Sequence, residues 1–165
     1  MSIALARRAP SAFGGMQTFG ASSAAQYLDK LTEERLAHLR KSNSLRPGME
    51  VAIEELHAVA EECASSGWDG YESTPVRQEA IRQAERFLKA LPLGVAAPSV
   101  GAEPDGHITF EWYQSPRRTL SVSVSQEGDV HYAALLGYSK NYGTEPFLGE
   151  IPSSILNLVQ RAVSV

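Results

Sequence analysis

From Ser99 to Leu136 the apolar residues of this chain alternate with polar ones, in register between turn signals, and that pattern requires a β-sheet with one wet face. Successive side chains on a strand point to opposite sides, so Ile108, Phe110 and Trp112 share one face of a strand over His107 to Tyr113. Over Thr119 to Ser125, Leu120, Val122 and Val124 point inward and Ser121, Ser123 and Ser125 outward. Pro104-Asp105-Gly106, the loop Ser115 to Arg117 and Glu127-Gly128-Asp129 reverse the chain. A short strand over Ser99 to Ala102 and another over Val130 to Leu136 complete an expected four-stranded antiparallel meander, covered on one face. Gly137 to Gly149 reads as irregular, apart from a short edge piece at Glu145-Pro146-Phe147.

Three helices precede this sheet. Ser22 or Ser23 caps the first, which runs to about Arg40 with Tyr27, Leu28, Leu31, Leu36 and Leu39 as its apolar stripe. The second, from about Met49 to Ser65, places Ala52, Ile53, Leu56, Val59, Ala60 and Cys63 on one side and ends at Gly67. Thr74 as cap and Pro75 in the first turn predict the start of the third, whose stripe is Val76, Ala80, Ile81, Ala84, Phe87, Leu88 and Leu91. Pro152 opens a C-terminal helix with Ile155, Leu156, Val159 and Val163 facing the sheet. Helices grouped before strands, rather than alternating with them, argue for an α+β arrangement.

Residues 1–23, rich in Ala, Gly and Ser, cannot bury enough surface to offset their ordering entropy and read as a flexible arm. Residues 24–165 read as a single α+β domain, with 24–46 as an accessory segment carrying the first helix. The net charge of -4 supplies no field to draw the chain onto phosphates or anionic lipids, so nucleic-acid and membrane partners are not expected. No apolar run approaches the ~20 residues that span a bilayer. The lone Cys63 rules out an intrachain disulfide, and the expected compartment is the cytoplasm.

Candidate chemistry is sparse. On the polar sheet face His107, Thr109, Glu111 and Tyr113 share one side of a strand, and Ser121, Ser123 and His131 can lie beside them. A carboxylate and an imidazole within reach of one substrate would suit acid–base catalysis, so Glu111 with His107 or His131 forms the enzymatic alternative, a small hydrolase or nuclease. Solvated sheet faces commonly have this composition without any activity. His57 and Glu61 share a helix face, but two ligands do not make a metal site. No metal or cofactor is therefore expected. Gly137 to Gly143 lacks the spacing of a phosphate loop. Arg117, Arg118 and Lys140 near Tyr138 and Tyr142 offer only three cations for a single strand of nucleic acid.

Trp68-Asp69-Gly70-Tyr71 lies between two helices in a segment too short to bury itself. Either Trp68 packs into the core while Asp69 or Ser73 stabilises the turn, or the rings face a partner. Phe13 and Phe19 of the arm, with Trp68, Asp69 and Tyr71, form the candidate partner-binding set.

The succession Gly67-Trp68-Asp69-Gly70-Tyr71, Pro75, Leu91-Pro92, Asp105-Gly106, Phe110-Glu111-Trp112-Tyr113 and Glu145-Pro146-Phe147 resembles a group of short, uncharacterised bacterial proteins, over about Glu50 to Val163. The resemblance implies a bacterial cytosolic origin and one recurring domain, and carries over no catalytic residue. The expectation is a non-enzymatic protein-interaction module whose partner is encoded nearby, as for an accessory component of a toxin–antitoxin or phage-defence system. A homo-oligomer is compatible with the same residues.

Overall fold

The computed structural model describes residues 23–40 and 46–164, and the chain divides into two compact units, Met1–Leu36 and Ala37–Val165. The expected arm, with Phe13 and Phe19, lies outside the described residues but for Ser23. Helix α1, Ser23–Arg40, exposes Tyr27 and Leu28, and the Thr32 hydroxyl donates to the Leu28 carbonyl one turn back at 2.8 Å. No helix among the described residues is long and apolar enough to cross a membrane.

The second unit holds α2 (Met49–Glu62), α3 (Gln78–Ala90), β1 (Ser99–Ala102), β2 (Ile108–Ser115), β3 (Arg118–Val124), β4 (Asp129–Leu136), β5 (Ser139–Pro146) and α4 (Ser153–Val163). The strands form one sheet in sequence order, each antiparallel to its neighbour. The fold is thus α+β, but the meander has five strands where alternation predicts four. Strand β5 escapes the pattern because it lies at an edge and buries none of its side chains fully. Its ladder to β4 rests on backbone hydrogen bonds, which carry no hydropathy signature. Gly137, at φ 69°, opens the two-residue turn that joins them, a conformation other residues adopt only with strain.

All three helices of this unit that touch the sheet cover the face bearing Ile108, Phe110, Trp112, Leu120, Val122, Val124 and Val130. Phe87 of α3 stacks on Phe110 of β2, ring centroids 5.2 Å apart and nearly parallel, and meets Phe147 edge-on at 5.6 Å. The buried Trp112 satisfies its indole N–H by donating to the Ala96 carbonyl at 2.8 Å. Buried Arg46 donates from Nη2 to the carbonyl of Leu88, which also accepts the Leu91 N–H, and to that of Leu91 just past the end of α3.

Helix α3 begins at Gln78, with neither Thr74 as its cap nor Pro75 in its first turn. Residues 74–76 are spent elsewhere: the Thr74 N–H donates to the Pro104 carbonyl at 2.7 Å and the Val76 N–H to the Cys63 carbonyl at 2.9 Å. Tertiary hydrogen bonds thereby override the local helix-start signal.

Candidate functional site

The sheet face away from the helices forms a grid. Pairing puts Thr109 beside Ser123, Ser123 beside His131 and His131 beside Thr144, while the next row runs Ser99, Glu111, Ser121, Ala133, Tyr142. A third row joins Tyr113, Thr119, Leu135 and Lys140. Among the described residues of this unit most of the grid is open: Glu111, Tyr113, Ala133, Lys140 and Thr144 are exposed and Tyr142 is 82% exposed, while Ser123, which hydrogen-bonds Glu103, is buried. A shallow depression of about 260 Å³, lined by Thr119, Ala133, Leu135, Lys140 and Tyr142 among others, has almost wholly apolar walls. Beyond the strand end, Arg117 lies 4.9 Å over the Tyr138 ring and donates to its hydroxyl at 2.9 Å.

One end of this face is polar and tightly connected. The β1–β2 turn closes with the Glu103 N–H donating to the His107 carbonyl and the Gly106 N–H to the Glu103 carbonyl, both at 2.9 Å. Gly106 takes φ 87°, and an added Cβ would lie 3.1 Å from the Pro75 carbonyl oxygen, so only glycine fits the corner. This closure sets Glu103 and His107 opposite each other with Asp105 between them. Asp105 accepts the His107 N–H at 3.1 Å and faces the His107 ring nitrogen Nδ1 at 3.3 Å. Thr109 and Ser123, themselves 2.7 Å apart, both donate to Oε1 of Glu103. The His107 ring stacks on that of His131, centroids 5.5 Å apart and parallel within 3°, and His131 Nδ1 shares a 2.8 Å hydrogen bond with Thr144. On the next turn Glu127 has its carboxyl held below the usual range, chiefly by the Gln126 amide with a smaller part from His107.

The fold therefore brings His107 and His131 together, whereas Glu111 stands in the neighbouring row beside Ser99 and Ser121. The carboxylate that joins this cluster is Glu103, not the Glu111 that strand alternation favours. Glu103 lies just past the end of β1, where period two no longer tells which face a side chain takes.

In the loop between α2 and α3, Trp68 packs partly buried against the core and its indole N–H donates to the Thr74 carbonyl at 3.1 Å. Asp69 accepts the Tyr71 N–H at 2.9 Å, and that bond is the main reason its carboxyl is held below the ordinary value. Tyr71 is 83% exposed. His57 faces Glu85 of α3 at 3.6 Å. Cys63 is buried, and burial, aided by the charge of Glu62, pushes its thiol pKa up, which suppresses the reactive thiolate.

Comparison of the chain with protein-family models, curated proteins and solved structures finds no match.

Proposed function

We propose that this chain is a non-enzymatic protein-binding module that docks a partner on the open face of its sheet. The observation that carries the reading is the apolar depression lined by Tyr142, Leu135 and Ala133, which the described residues of the unit leave open while helices cover the opposite face. Rigid strands present Tyr113 and Tyr142 at little entropic cost, and aromatic side chains of this kind anchor interfaces. The occupant is a protein offering an apolar side chain to the depression. Phosphate backbones are disfavoured as occupants, because Lys140 is offset by Glu111 on the same face and the chain carries net charge -4.

The test compares the native chain with Tyr142→Ser/Leu135→Ser and with Trp68→Ala as bait, identifies the copurifying protein and repeats the measurement with that protein purified. Loss of a central anchor raises Kd by at least about tenfold in the sheet variant. Equal affinity of the native and sheet-variant chains, or no copurifying protein for the native chain, overturns the proposal. Loss with Trp68→Ala alone transfers the surface to the loop and equally removes the sheet face.

A further inference from the structure

The hairpin-tip cluster carries chemistry that the docking face does not use. One ligand atom from each of Glu103, Asp105 and His107 lies within 4.8 Å of the other two. We propose that these three residues form a binding site for a divalent transition cation of the Zn²⁺ or Mn²⁺ type.

Ligands at about 2.0–2.2 Å from a shared ion stand roughly 3–3.5 Å from one another. The Asp105 carboxylate and His107 Nδ1, 3.3 Å apart, already have that spacing. Bringing in Glu103 requires its carboxylate and the exposed Asp105 side chain to close by about an ångström. Because the closing hydrogen bonds of the turn fix residues 103 and 107 opposite each other, side-chain torsions are the freedom that remains.

The donor set selects the ion. An imidazole nitrogen disfavours Mg²⁺ and Ca²⁺, which take oxygen, and the absence of a thiolate from the cluster disfavours soft ions. Two carboxylates match the charge of a divalent cation, and three protein ligands leave positions for water. A cavity of about 70 Å³ beside Asp105, His107 and Gln126 has room for such water; Arg77, which also lines it, opposes the ion.

The surroundings hold the ligands as supporting residues of metal sites do. Hydroxyls of Thr109 and Ser123 fix one oxygen of Glu103, and the stacked His131 ring, itself held by Thr144, restricts the plane of His107. Glu127 adds negative charge near His107.

Calorimetric titration of the chelator-treated full chain with Zn²⁺ tests the site. One equivalent binds; Asp105→Asn and His107→Gln each weaken binding at least about tenfold, the supporting pair Thr109→Val/Ser123→Ala weakens it about tenfold, and His57→Gln leaves it unchanged. Thermal unfolding in chelator confirms that each variant folds. A readout free of variants is Mn²⁺-induced broadening of histidine ring signals in the native chain, which falls on His107 and His131 and spares His57. Absence of a bound equivalent, affinity retained in His107→Gln, or broadening centred on His57 refutes the site.

Discussion

The contact between Phe87 of α3 and Phe110 of β2 clamps the helical layer to the sheet, and a double-mutant cycle on the two rings measures that clamp. Both side chains are fully buried, with parallel rings 5.2 Å apart. Replacing either phenylalanine by leucine removes about three buried carbons, a loss of roughly 2 kcal/mol at ~0.8 kcal/mol per buried carbon group. A stacked pair contributes about 1 kcal/mol beyond its area, and that term is lost in full with either substitution, so each single variant loses about 3 kcal/mol in all. The double variant then loses about 5 kcal/mol, where independent sites would lose about 6. Urea unfolding at 25 °C, with unchanged slope across the four proteins, yields the coupling directly. In the same assay Tyr142→Ala, on the open face, stays within about 0.5 kcal/mol of the native chain. Additivity within about 0.3 kcal/mol, or single losses well below 1 kcal/mol, would refute the helix-on-sheet packing described above.

Two further outcomes follow from local geometry. An added Cβ at Gly143 would lie 2.7 Å from the Tyr132 hydroxyl, so Gly143→Ala lowers stability by about 1–2 kcal/mol, and Tyr132→Phe recovers part of the loss; equal stability of Gly143→Ala and the native chain in urea contradicts the contact. The folded-state pKa of Asp69 is depressed from the ordinary 3.8, so its stabilisation of the loop is present above the usual aspartate range and disappears as pH falls through the lower folded value. The Tyr71 amide, followed by NMR, therefore shifts with a midpoint below 3.8, and the transition vanishes in Asp69→Asn; a midpoint at or above that value shows that the Asp69–Tyr71 bond does not form in solution.

Strands β2 to β4 are legible because burial of one face forces alternation: Phe110, Val122 and Val130 sit where period two puts them. The same logic missed β5, whose Tyr142 and Lys140 face the open side while Asn141 and Gly143 occupy the alternate positions. The site was half legible. His107 and His131 were read as sharing a face, which pairing across β2, β3 and β4 makes a contact, but Glu111 was preferred to Glu103 because a residue in a strand announces its face and a residue in a turn does not.

Periodicity and turn chemistry by themselves determined the α+β class, the order of the helices and of strands β1 to β4, and the inward face of the sheet, since each depends on neighbours a few residues away. Tertiary structure alone decided where α3 starts, that Arg46 holds the Leu88 carbonyl near the end of α3 from 42 residues away in sequence, and that Glu103 joins Ser123 across 20 residues. Those outcomes depend on which distant backbone and carboxylate groups are within hydrogen-bonding distance once the core has closed, and a local pattern carries no record of that distance.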